Sequence, residues 1–208
     1  MFGLGMTTFP QICCQNAQID ECIALAEEKG TANWKIQAMA HRGCVLALVG
    51  ESTEAISTIS SGIDGWRSIG AKVFATFWLP HLALGYADIG KCDEAWSKID
   101  ETMTAMETTK EKWCEAEVNR IAGEIALKSP EPDAAKAEAY FERALAVARQ
   151  QEAKSWELRA AISLARLWRS QGKPQQAREL LAPVYGWFTE GFDTRDLKDA
   201  KVLLDELA

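Results

Sequence analysis

The run Gly85 to Cys92, GYADIGKC, follows a phosphate-cradling loop as far as Lys91, but Cys92 stands where a Ser or Thr hydroxyl must reach magnesium. Such a loop also follows a strand, whereas the residues around Gly85 read as helix, so nucleotide chemistry is not expected. His41 and His81 would need to converge with carboxylates to hold a metal. They occupy equivalent places in successive segments with no acidic partner in that layer, and no metal site is assigned. Cys13, Cys14, Cys22, Cys44, Cys92 and Cys114 lack the paired spacing of a metal knuckle and read as free, mostly buried thiols. The adjacent Cys13 and Cys14 are the pair open to oxidation. Arg159, Arg166 and Arg169 share one face of a helix by their spacing of seven and three. A guanidinium fork on such a face recognises carboxylates through two parallel hydrogen bonds.

The elements that must position these residues repeat. Trp34, Phe74, Trp113 and Trp156 recur at about forty-residue intervals, each four residues after Gly30, Gly70, Thr109 or Glu152. In register with them, Gly50, Gly90, Ser129 and Gly172 fall where a first helix should end, because glycine accepts the left-handed conformation that stops a helix. Beyond each turn a small residue precedes a large one by four: Ala55 and Ile59, Ala95 and Ile99, Ala137 and Phe141, Ala177 and Leu181. That spacing describes a second helix packed closely on the first. Leu79, Leu82, Ala83 and Tyr86 of one first helix fall opposite Ala161, Leu164, Ala165 and Trp168 of the last, which keeps a 3.6-residue stripe. Pro80 and Pro183 lie inside expected helices and should kink or break them.

The set Leu82, Ala83, Tyr86, Gly90, Ala95 and Ile99, and again Leu164, Ala165, Trp168, Gly172, Ala177 and Leu181, resembles the tetratricopeptide repeat. The first unit is a weaker match, with Gly43, Leu46, Gly50, Ala55 and Ile59, and the third carries an insertion around Ser129 to Pro132. The resemblance implies an all-α fold of antiparallel helix pairs stacked as a right-handed superhelical solenoid. Its parts would be a half repeat at 11–30, helix pairs at 31–70, 71–110, 111–152 and 153–191, and a capping helix at 192–208. The stretch from GYADIGKCDEAW to LLAPVYGWFTEGFDTRDLKDAKVLLDEL is also similar to the C-terminal repeat tail of bacterial signalling proteins that carry cyclase and ATPase domains. That similarity concerns the tail alone and carries over no catalytic residue.

In this family the first helices line a concave face, and residues beside the packing stripe point into it. The resemblance therefore places His41, His81 and Arg120 in one column, with Arg159, Arg166 and Arg169 grouped on the last pair. Two readings stand: a groove for an acidic protein or peptide, or a solvated face neutralised by Glu157 and its neighbours. Counting back one period puts Ile19 level with Ile59 and Ile99, so residues 11–30 would be a second helix lacking its first. Ile19, Cys22, Ile23 and Leu25 would then be partly open, with Ile19 and Ile23 as a dimer edge, unless Met1 to Pro10 folds back as a cap. At the other end Asp193 or Thr194 should cap a helix with the stripe Leu197, Ala200, Leu204 and Leu207, while Lys198, Asp199, Lys201 and Asp205 face water. Tyr185, Trp187, Phe188 and Phe192 are expected as the joint beneath it.

With 208 residues, 48% hydrophobic and 25% charged, the chain can bury a sizeable core, and a formal charge of −7 disfavours nucleic acid as a partner. No apolar run approaches the ~18 residues of a membrane span, and no Lys or Arg precedes Lys29, so a cytoplasmic location is expected. No convergent nucleophile, base or metal constellation is present, and no cofactor is expected. The sequence thus points to a non-enzymatic protein- or peptide-binding scaffold. The alternative is a ligand-sensing regulatory tail of a cyclase/ATPase signalling system.

Overall fold

Ala55, Ala95, Ala137 and Ala177 are fully buried, and so, to within 2%, are Ile59, Ile99, Phe141 and Leu181. Small residues at these positions let two helix backbones approach, and the large residue one turn on fills the space beside them. The computed structural model describes residues 16–71 and 73–208, and among them it contains ten α-helices and no strand. They are α1 (Asn16–Glu28), α2 (Ala32–Val49), α3 (Ser52–Ser68), α4 (Ala75–Asp88), α5 (Cys92–Thr109), α6 (Glu115–Lys128), α7 (Ala134–Gln150), α8 (Lys154–Ser170), α9 (Pro174–Tyr185) and α10 (Arg195–Glu206). Cys13 and Cys14, and the start of the expected 11–30 segment, lie outside the described residues.

Local chemistry sets the helix ends. Gly90 and Gly172 take φ of 78° and 74° at the turns where the sequence placed them. The third pair has no such glycine; Asp133 instead caps α7, its carboxylate accepting from Lys136 N at 2.8 Å. At the end of α5 the left-handed residue is Lys110 (φ 61°) rather than Thr109, and after α7 it is Glu152 (φ 53°).

Two compact units result. The first runs to Cys114 and takes in Leu127–Pro132; the second holds Glu115–Ala126 and Asp133–Ala208. In the first, α2 packs on α3, α3 on α4 and α4 on α5, while α2 also meets α4. Gly43 lets α2 and α3 touch, since a Cβ there would lie 2.5 Å from Ile59 Cγ1 and 2.9 Å from its backbone nitrogen. α1 packs antiparallel on α2, with Asp20 paired to Arg42 and Glu27 to Lys35 (2.7 Å). Ile19 is buried to 8% exposure, so the expected open edge is not formed by Ile19; Ile23 is half-buried, and Cys22 and Leu25 are exposed.

Pro80 does not break α4. Proline has no N–H for the carbonyl four residues back, Thr76 O, and the buried Cys114 thiol donates to that oxygen across 3.5 Å. Phe74, at φ 68°, starts α4 without a capping side chain of its own. Glu111 supplies the acceptor, taking Phe74 N at 3.3 Å, Thr76 Oγ1 at 3.2 Å and Trp113 Nε1 at 3.4 Å. Pro183 likewise stays within α9, two residues before its end.

In the second unit Gly123 of α6 faces Phe141 of α7, where a Cβ would lie 2.4 Å from the ring. α8 packs on α7 and α9, and α10 packs on both α8 and α9. Thr194 is the N-cap residue of α10, without a side-chain cap bond, and the buried stripe is Leu197, Ala200, Leu203 and Leu207. Leu203 replaces the expected Leu204. Trp187 and Phe192 are about half exposed instead of lying beneath the cap, and Lys154 Nζ sits 5.7 Å from the Trp187 ring centroid.

Candidate functional site

Arg120, on α6, is a buried residue whose guanidinium is fully engaged. Its Nε and Nη2 each donate to the Glu117 carboxylate at 2.8 Å, and Nη1 donates to Glu124 at 3.2 Å and to Ser163 Oγ at 3.5 Å. Ser163 Oγ in turn donates to Glu124 at 2.7 Å. Residues three before and four after an arginine stand on its own helix face, so Glu117 and Glu124 were within reach by spacing alone. Burial opposes the charge on Arg120, but Glu117, Glu124 and Asp196 outweigh it and hold the guanidinium protonated more firmly than usual.

Arg159 enters the same cluster from α8, its Nη1 2.8 Å from Glu117 Oε1 and its Nε 3.8 Å from Asp196 on α10. Glu117 is 2% exposed and thus serves two guanidinium groups at once. Asp196 is pushed above the usual carboxylate range, chiefly by burial and against the pull of Arg159. Arg166 and Arg169 lie further along α8 and are half exposed; Arg166 pairs with Asp199 at 3.1 Å and Arg169 with Glu206. Partner numbers rise together along both helices, so α8 and α10 run in the same direction.

The four arginines are therefore brought together with carboxylates of this chain. Glu157, expected to neutralise a solvated face, is instead buried and pairs with Arg149 and Lys154, both at 2.8 Å. The carboxylates that face Arg159, Arg166 and Arg169 are Glu117, Asp196, Asp199 and Glu206. Arg120 and Arg159 hold α6, α8 and α10 together. Arg166 and Arg169 alone of the set are open enough to meet another molecule.

His41 and His81 belong to the first unit. His81 is fully buried on α4, its Nδ1–H donating to Phe77 O at 2.8 Å, so it offers no surface to a partner. His41 makes the equivalent bond to Gln37 O at 2.8 Å and is half-buried; burial lowers its pKa, against the backbone bond that raises it. The Phe77 ring lies between them, 5.6 Å from His41 and 4.8 Å from His81. Trp78 continues the stack, edge-on to His41 at 5.8 Å and to Trp66 at 5.5 Å. These histidines are members of an aromatic core.

Around Gly85 to Cys92, Gly85 and Asp88 are inside α4 and Gly90 is the turn, so no strand precedes the phosphate-loop-like run. Lys91 Nζ lies 3.8 Å from Glu94. Among the described residues, no helix is long and apolar enough to cross a membrane. No protein-family model matches the chain, and no curated protein matches it.

Proposed function

We propose that the chain is a non-enzymatic binding scaffold built of tetratricopeptide-like helix pairs, a right-handed solenoid that takes a protein or peptide partner. The observation that carries this reading is phase: α2 with α3, α4 with α5, α6 with α7 and α8 with α9 each fall within one forty-residue sequence period. Stacked units of this kind present an extended, preformed surface rather than a single reactive centre. The surface proposed is the exposed part of α8, where Arg166 and Arg169 hold carboxylates in water-accessible pairs. Such pairs exchange partners at little cost, because exposed ion pairs contribute only about 0–1 kcal/mol.

The partner is an acidic protein segment, with neither nucleic acid nor membrane involved, in the cytoplasm. The test compares capture from native lysate by the wild-type chain and by Arg166→Gln/Arg169→Gln, which spares the buried Arg120 and Arg159. A partner kept by the wild type and lost by the folded double variant supports the reading, and equal capture by both removes it. Self-association through α1 would use Ile23 and Leu25; an unchanged solution mass for Ile23→Glu/Leu25→Glu would eliminate it. A ligand-sensing tail of a cyclase/ATPase system is the second reading, favoured by a cleft in the first unit.

A further inference from the structure

Between α3, α5 and the start of α4 lies a cleft of about 410 Å³, within the range of about 300–1,000 Å³ typical of small-molecule sites. It exists because three short side chains, Ala71, Ala75 and Ala105, stand over two large ones, Trp66 and Trp78. The tryptophans are buried to 7% and 0% exposure and form its floor with their ring planes nearly perpendicular, while the alanines are half-exposed and leave the way in open. The floor is fixed. Trp66 Nε1 donates to Val73 O at 2.7 Å, and the two indoles meet edge-on with centroids 5.5 Å apart.

The mouth is charged. Arg67 Nη2 donates to Glu101 Oε1 at 2.5 Å and Lys98 Nζ donates to Glu101 Oε2 at 2.7 Å, so Glu101 keeps a cation when Arg67 turns to another acid. One wall of the cleft is the α5 face bearing Thr108 and Thr109, whose hydroxyls donate to Thr104 O and Ala105 O, both at 2.9 Å. Their protons are spent on the helix, and the charged donor that lines the cleft is Arg67.

From this geometry we infer that the cleft binds a small apolar carboxylate, its hydrocarbon part seated against Ala71, Ala75 and Ala105 and its carboxylate exchanged for Glu101 on Arg67. Contact with these short side chains supplies the apolar part of the recognition, and the guanidinium fork selects the acid over a neutral analogue. The inference goes beyond the scaffold reading, whose proposed surface lies on α8, and its outcome leaves that surface untouched.

The experiment titrates the full chain with 1-naphthoate and with 1-naphthylmethanol, followed by calorimetry and tryptophan fluorescence. Saturable one-to-one binding of the acid is expected. Ala105→Leu, which fills the cleft while keeping a good helix former, should weaken it at least about tenfold with an unchanged or raised unfolding midpoint. If that variant unfolds more easily, Thr108→Trp at the exposed rim replaces it. Arg67→Gln should weaken the acid about tenfold and leave the alcohol unaffected. Absence of saturable binding, or equal binding by wild type and the filled variant, overturns the site. Equal losses for acid and alcohol in Arg67→Gln overturn the carboxylate assignment.

Discussion

Glu117→Gln is the substitution to which the second unit should be most sensitive. The carboxylate is 2% exposed and takes three charged contacts, two hydrogen bonds from Arg120 and an ion pair with Arg159, all at 2.8 Å. Bonds to charged groups contribute about 1.5–3 kcal/mol each, but these three share one acceptor group and do not add. Glutamine keeps one oxygen and turns an NH2 group toward a guanidinium, donor against donor. It also leaves two little-exposed cations with one countercharge fewer. Arg120 retains Glu124 at 3.2 Å, and Arg159 retains Asp196 only at 3.8 Å. Removing one member of a buried ion pair costs about 3–5 kcal/mol, and that is the loss expected. Arg166→Gln, which breaks an exposed pair, should cost about 0–1 kcal/mol. Urea unfolding followed by far-ultraviolet circular dichroism measures both, and amide exchange locates the loss to α6, α8 and α10. A Glu117→Gln loss below about 1 kcal/mol, or one equal to that of Arg166→Gln, would refute the assignment of a buried, shared countercharge.

Three further substitutions probe other parts of the fold. Gly43→Ala should destabilise by about 1–3 kcal/mol despite alanine's better helix propensity, because the new Cβ meets the Ile59 backbone; a stabilised variant in thermal unfolding would contradict the close contact. Lys110→Gly should stabilise by about 0.5–1 kcal/mol, since a non-glycine residue held at φ 61° carries strain that glycine lacks, partly offset by chain entropy; a lower melting temperature would argue against it. Asp196 and Glu157 should give opposite pH signatures. For Asp196, whose pKa burial raises, the stabilising contribution is complete below the unfolded value of about 3.9 and is lost as pH rises through the folded value. Burial also works to raise the pKa of Glu157, but its hydrogen bonds to Arg149 and Lys154 outweigh that and lower it. Its contribution is therefore present above the unfolded value of about 4.3 and lost as pH falls through the folded one. Unfolding midpoints across the acid range for Asp196→Asn and Glu157→Gln, set against wild type, should show differences of opposite slope; slopes of one sign would sink the assignment.

The second helices of the pairs, and the face each of them buries, were legible in the sequence. Ala55, Ala95, Ala137 and Ala177, with the large residue four places on, announced the second helices, and all eight residues lie in the core. Gly90 and Gly172 announced turns because a positive φ is a demand one residue type meets cheaply. These signals are local: a periodicity of 3.6 and the conformational needs of a turn are both satisfied within a few residues of chain. The Arg159, Arg166 and Arg169 face was legible in the same way, as a spacing.

What those arginines do was decided by tertiary structure. Their partners Asp196, Asp199 and Glu206 come from α10, and Glu117 from α6, so the pairing depends on which helices pack against α8. Periodicity names the apolar stripe of a helix but not the helix that will lie beside its polar flank. For the same reason Glu157 was assigned to the wrong arginines and Ile19, which is buried, to an open edge. His81, polar by type, was expected at a surface, yet a bond to its own helix carbonyl and a neighbouring Phe77 ring make it core. A side chain's chemistry is written in the sequence; whether it meets solvent, a countercharge or an aromatic ring is set by contacts between segments far apart in the chain.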